Sequence, residues 1–82
     1  MELKEEIREI IVNKVSDMKR IDKASFTDAT NLKTDCGMKS VDMVSVITAL
    51  EDEYEVYVDF LKLKKCETLG SLVDFVAGLI ES

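Results

Sequence analysis

The stretch Asp35-Cys36-Gly37-Met38-Lys39-Ser40-Val41-Asp42 holds the residues of this chain best placed to do chemistry. It sets a glycine three positions before a serine and an acid two positions after it, at the mouth of an amphipathic run. Gly37 allows a tight bend because it lacks the Cβ that penalises positive φ. Ser40 then offers a hydroxyl where a helix begins, and the expectation is that it caps unpaired N–H groups there. An anionic group attached to that hydroxyl would meet the positive end of the helix dipole, worth about 0.3–1 kcal/mol. A serine cap alone is common, so the chemistry has to be argued from its surroundings.

The remaining composition narrows what this hydroxyl can do. Histidine is absent, which removes the usual general base and the commonest metal ligand. Cys36 and Cys66 form no C-x-x-C pair, so no metal site is expected. Neither thiol has a histidine to activate it, and an enzyme with Cys36 as nucleophile is a distant reading. No catalytic residue is expected. Two cysteines without a secretory pattern make a poor disulfide framework, so a reduced, cytoplasmic protein is expected. Residues 1–20 carry charge at every turn and make neither a signal-peptide core nor a membrane span. The net charge of −6 disfavours nucleic acid as a partner and favours basic protein surfaces.

The elements that must position Ser40 are legible as helices. With 82 residues the chain has room for one domain, residues 1–82, and one modest core. An apolar content of 46% suffices to fold it, and at 6% aromatic the core falls to Leu, Ile, Val and Met. Leu3, Ile7, Ile10, Ile11, Val15 and Met18 recur at steps of three and four, which predicts a helix over 2–18. Glu2, Glu5, Glu9, Asn13 and Ser16 lie opposite. From Lys19 to Lys39 the periodicity fails among turn formers, and Ile21, Phe26 and Leu32 are expected to pin this long connection to the core. Connections of that length are usually functional, and this one would deliver Ser40 to the surface.

Residues 40–55 predict the most informative helix. Met43, Val46, Ile47, Leu50 and Tyr54 share an inner face. Val41, Val44 and Thr48 form a second stripe, interleaved with Glu51, Asp52 and Glu55. Asp42, Glu51, Asp52, Glu53 and Glu55 leave this segment with five acids and no base, and acids crowded into a helix's last turns run against its dipole. A solvated face would explain the charges. Valines on the same flank beside the candidate serine favour a partner-docking face. Val56–Val58 is too short for a strand. Asp59 is expected to cap a short helix over 60–65 with Phe60, Leu61 and Leu63 inward and Lys62, Lys64 and Lys65 outward. Thr68 caps a last helix over 69–81, with Leu69, Leu72, Val73, Val76, Leu79 and Ile80 buried. The expected architecture is all-α: a small four-helix bundle of three principal helices, one short helix and a long first loop.

On these residues the chain resembles the acyl carrier proteins, phosphopantetheine-bearing carriers of fatty-acid and polyketide synthesis. Their signature, approximately D-L-G-x-D-S-L-[DE], aligns with Asp35 to Asp42, and their A-L-E-[ED]-E-[FY] run aligns in register with Ala49-Leu50-Glu51-Asp52-Glu53-Tyr54. Val58, Lys65, Thr68 and the closing helix follow without a gap. The resemblance implies that a separate phosphopantetheinyl transferase moves phosphopantetheine from coenzyme A onto Ser40, and that the arm's thiol holds acyl groups as thioesters. It implies biosynthetic enzymes as partners, docking on Lys39, Val41, Asp42, Val44, Thr48, Glu51, Asp52 and Glu55, and a monomeric carrier. A core that shelters an acyl chain would gain up to about 0.8 kcal/mol per methylene. Neither cysteine has a role in that chemistry. The chain departs from the family in Lys39 for aspartate, Val41 for leucine and Ser45 for glutamate. Lys39 reverses a charge that usually faces the transferase. It is either a tolerated exposed change or a mark of a dedicated partner. An aminoacyl or peptidyl carrier of a specialised pathway, and an unmodified helical adaptor that kept the fold, remain alternatives.

Overall fold

A computed structural model describes residues 2–82. Four α-helices account for its regular structure: α1 (Leu3–Lys19), α2 (Ser40–Tyr54), the single-turn α3 (Phe60–Leu63) and α4 (Leu69–Glu81), with no strand among the described residues. α1 is the central element and packs against both α2 and α4. Ile7, Ile11, Val12 and Val15 of α1 meet Val46, Ile47 and Leu50 of α2 and Leu72, Val73 and Val76 of α4 in one buried cluster. The predicted stripes are therefore the packed ones, shifted a little. Leu3, Ile10, Met18, Leu79 and Ile80 are only partly buried, while Val12 and Ala77, which the periodicity passed over, are buried. Polar ties fix the pairings at the rim, with Lys4 bridging to Asp74 at 3.1 Å and the Tyr54 hydroxyl donating to Glu6 at 3.4 Å.

The first connection is long but not structureless. A 3₁₀ turn, Lys23–Ser25, is capped by the Asp22 carboxylate, which accepts from the Ala24 N–H at 3.0 Å. The connection then runs along the start of α4. The Leu69 N–H donates to the Thr30 carbonyl and the Gly70 N–H to the Asp28 carbonyl, both at 2.9 Å. The Leu32 N–H returns the tie by donating to the Glu67 carbonyl at 2.9 Å. The opening N–H groups of a helix have no partner inside it, so α4 takes them from this loop and from Thr68, whose hydroxyl accepts from the Ser71 N–H. The approach is close enough that a Cβ at Gly70 would lie 3.0 Å from the Asp28 Cβ and 3.1 Å from its carbonyl oxygen. Phe26 and Leu32 are buried as expected, and Ile21 is half-buried.

Two expectations about side-chain direction need correction. Leu61, read as inward, is 65% exposed. α3 is only one turn long, and its capping by Asp59, which accepts from the Leu61 N–H at 2.9 Å, directs Leu63 to the core and leaves Leu61 outside. Ser40, read as a cap, is the first residue inside α2, and the cap position belongs to Lys39. An ammonium cannot accept a hydrogen bond, so the cap is one-sided. The Asp42 carboxylate reaches back to accept from the Lys39 N–H at 2.9 Å.

Asp42 also holds α1 to α2, through an ion pair with Lys19 at 2.8 Å. That contact with Lys19, followed by the Lys39 N–H bond, holds the Asp42 carboxyl below its ordinary value of 3.8. A carboxylate with a lowered folded-state pKa stabilises the fold above its unfolded pKa, and loses that effect as pH falls through the folded value. Asp42→Asn should therefore lower the melting temperature at pH 7. The gap to wild type should close as pH is taken down below about 4, measured by thermal melts across pH 2–7. A second expectation follows from the two faces of α2. Leu50 is fully buried, and Leu50→Ala should cost about 2–5 kcal/mol in chemical denaturation. Val44 is 49% exposed, and Val44→Ala should stay within about 0.5 kcal/mol of wild type.

Candidate functional site

The local sequence explains how Ser40 is delivered. Asn31 opens a helical turn: its side-chain carbonyl accepts from the N–H groups of Lys33 at 2.9 Å and Thr34 at 3.0 Å. The Asp35 carboxylate closes the turn by accepting from the Asn31 N–H at 2.8 Å. Gly37, at φ +69°, then reverses the chain; a Cβ there would meet nothing within 4 Å, so the glycine serves backbone conformation alone. Leu32, Cys36 and Met38 are buried from this segment and act as its anchors. With Met38 in the core, the next two residues emerge exposed, and Ser40 starts α2 with its side chain towards solvent.

Because Ser40 lies inside α2 and not at its cap, its hydroxyl is not committed to the opening N–H groups of the helix. It opens onto a cleft of about 310 Å³ between the first connection, the start of α2 and α3. Met38, Met43 and Phe60 give this cleft apolar surface, and Lys33, Lys39 and Lys64 give it positive charge. The Lys33 ammonium donates to the Lys64 carbonyl at 3.2 Å, tying the loop to the turn after α3. The sequence singled out Lys39 but not Lys33, Phe60 or Lys64 as neighbours of Ser40. Lys64 read as an outward solvent charge, which it is, yet it stands beside the serine. Nothing in the spacing links positions 33, 40 and 64; the fold of the first connection over α3 does.

The expected docking residues fall into two groups. Val41 is 70% exposed, and Val44, Thr48, Asp52 and Glu55 are exposed with it on the outer flank of α2. Asp42 and Glu51 are half-buried and already engaged. Glu51 accepts from the Val58 N–H at 2.9 Å, pinning the chain after α2, which leaves that helix through Glu55 in a left-handed conformation at φ 54°. The Thr48 hydroxyl donates to the Val44 carbonyl at 2.9 Å. Leu61, one residue past the cleft residue Phe60, adds an exposed apolar side chain that the sequence had placed inside.

The other reactive groups are quiet. Cys36 and Cys66 are free thiols, and burial pushes both above their ordinary value, with Asp35 adding to the effect on Cys36. A raised pKa leaves less thiolate, the nucleophilic form. Burial and the neighbouring Glu6 likewise raise Tyr54. No cluster of three or more metal-ligating side chains occurs among the described residues, and none of their helices is long and apolar enough to cross a membrane.

Comparison with known proteins adds an independent observation. The family model described as a phosphopantetheine attachment site matches residues 5–76. An acyl carrier protein of Lactobacillus acidophilus is 33% identical over 72 residues, 88% of this chain and 90% of that protein. One from Saccharopolyspora erythraea is 31% identical over 77 residues, covering 94% of this chain and 81% of the relative. Acyl carrier protein 2, mitochondrial, of Arabidopsis thaliana is 28% identical over 75 residues; these cover 92% of this chain but only 60% of the longer plant protein. With a family match that runs from α1 into α4 and relatives of this identity and coverage, the chain belongs to the acyl carrier proteins, a family of carriers rather than catalysts built around a phosphopantetheine attachment site.

Proposed function

We propose that Ser40 receives phosphopantetheine and that this chain presents acyl intermediates to biosynthetic enzymes without catalysing a reaction itself. The observation that carries the reading is the exposed Ser40 at the first position of α2, inside the helix and not at its cap, facing a cleft with both apolar and cationic walls. The residues fit the arm. An exposed primary hydroxyl leaves room for a transferase, and Lys33, Lys39 and Lys64 suit an anionic phosphodiester. Transfer forms a bond from the Ser40 Oγ to phosphorus and breaks the pyrophosphate bond of coenzyme A. Adenosine bisphosphate leaves, and the hydroxyl proton passes to the transferase. The group, once bound, supplies a thiol that holds acyl chains as thioesters. The protein's own part is to orient the attachment point and to offer a docking face.

That face is the outer flank of α2, where Val41, Val44 and Thr48 lie beside Asp52 and Glu55. Lys39 stands at its edge, and the half-buried Asp42 and Glu51 add negative charge. Acids alternating with exposed valines suit a basic, partly apolar partner surface, including that of a phosphopantetheinyl transferase. The raised pKa values of Cys36 and Cys66 count against a thiol nucleophile. One domain spanning residues 1–82, acting as a monomer in the cytoplasm, completes the reading, though a mitochondrial relative keeps an organelle in view. Fatty-acid, polyketide and related syntheses are the processes that such a carrier serves.

Two measurements test this. Intact mass after incubation with a transferase and coenzyme A should rise by one phosphopantetheine in wild type. Ser40→Ala should show no gain while keeping its helical circular dichroism, and modification persisting in that variant would put the arm elsewhere. Lys39→Asp should speed arm transfer by a general-purpose fatty-acid transferase, most visibly at low salt, because it restores acidity where a basic surface docks. An exposed pair is worth only about 0–1 kcal/mol, so the expected gain is at most around fivefold. Equal rates across a salt series would make Lys39 a neutral surface change.

A further inference from the structure

We propose that Lys33, Lys39 and Lys64 form a phosphate seat that holds the phosphodiester of the arm against the cleft between α2 and α3. The proposal rests on Ser40 as the attachment residue and goes beyond it, because it gives the arm a defined resting place on this chain.

Three observations converge. In a chain with 11 lysines and arginines against 17 acids, the cleft beside Ser40 is lined by three lysines and no acid. The clefts on either side of Arg8 carry both signs, with Glu5 and Asp74 or Glu9 among their walls. None of the three lysines takes part in an ion pair among the described residues; the paired cations are Lys4, Arg8 and Lys19. The three ammoniums line one concave surface, and a cleft focuses the positive field they make. Finally, the Lys33 ammonium already bridges to the Lys64 carbonyl at 3.2 Å, so the two distant segments that carry these cations are held together before any ligand arrives.

The geometry favours the arm's own phosphate over other anions. Its phosphorus is one bond from the Ser40 Oγ, so attachment at Ser40 fixes the anion at the mouth of the cleft without further loss of translational freedom. An acidic carried group would lie at the far end of a flexible arm and gains no such advantage. The phosphates of incoming coenzyme A share the same chemistry but are untethered. Lysine ammoniums suit the seat because they bind phosphate as mobile point charges, with no need for the planar fit of a guanidinium. A diester seated there ties residues 33, 39 and 64 to one another, and so stabilises the modified form.

Two readouts on the modified protein test this, with intact mass verifying that the arm is present. Amide NMR shifts between unmodified and modified wild type should include Lys33, outside the turn that carries Ser40, and Phe60 and Lys64, far from it in sequence. The modified form should melt about 4–8 °C above the unmodified form at low salt, the scale expected when an 80-residue domain gains a few weak contacts. The difference should shrink towards zero in molar salt. The double variant Lys33→Gln/Lys64→Gln should take the arm yet lose both effects, and Lys33→Arg/Lys64→Arg should keep them. Comparing the modified and unmodified form of each variant removes any effect on the fold itself, including loss of the Lys33–Lys64 bridge. Shift changes confined to residues 38–42 with equal melting temperatures would overturn the proposal and leave the attachment reading intact. Coenzyme A shifting Lys33 and Lys64 in Ser40→Ala, while modified wild type shows no shift there, would also overturn it, by assigning the cleft to the incoming donor. Absence of any mass gain in wild type would overturn the attachment reading and the proposal with it.

Discussion

The carbonyls of Asp28 and Thr30 satisfy the first N–H groups of α4, and much of the remaining structure depends on that tie. A helix start buried without partners for its N–H groups would cost free energy comparable to lost hydrogen bonds. Here a loop supplies them, so the start of α4 and the first connection are held to one another. Gly70 eases the approach, because a Cβ there would lie 3.0 Å from the Asp28 Cβ and 3.1 Å from its carbonyl oxygen and push the loop back by a few tenths of an ångström. With the loop lying along α4, Leu32 and Met38 are both in the core and the Asn31 turn links them. Ser40 comes out at the surface as the consequence. The hydroxyl proposed as the attachment point is thus exposed yet held by buried anchors on the residues just before it.

The start of α2 divides tasks that one residue type could have combined. A serine at the cap would have its oxygen occupied by backbone N–H groups. In this chain Ser40 is one position further in, Asp42 accepts from the Lys39 N–H, and the hydroxyl is left for other use. The same carboxylate meets Lys19 near the C-terminal end of α1, where a cation is favoured by the helix dipole. Ser40 is therefore oriented by the packing of α1 on α2 as well as by its own turn.

Charge is segregated around that point. Acids line the outer flank and C-terminal end of α2, whereas lysines gather at the cleft beside its first turn. On the proposed function, a partner approaching the flank would meet negative charge interleaved with exposed valines, while an anion attached at Ser40 would meet positive charge. On that reading the two fields would act on different objects, the flank on a partner and the basic cleft on the arm. Lys39, at the junction, is the residue where they overlap.

Much of this was determined by the sequence alone. Period-3.6 stripes placed α1, α2 and α4 to within a residue or two, since an apolar stripe has one packing solution in a small helical domain. Gly37, Thr68 and Asp59 announced their turns and caps through local backbone chemistry, and the motif around Ser40 carried the family. What the tertiary structure decided lay in long-range contacts. Leu61 went outward because α3 is too short to set a phase, and only Asp59 and the burial of Leu63 fix its rotation. Ser40 is not the cap because the backbone starts α2 one residue earlier, which leaves Lys39 in the cap position. The first connection has local turns at Asp22 and Asn31, but its course along α4 comes from pairing with residues more than thirty positions away, which no local pattern encodes. For the same reason Lys33, Lys39 and Lys64 read as separate surface charges in the chain and become neighbours only when the loop closes over α3.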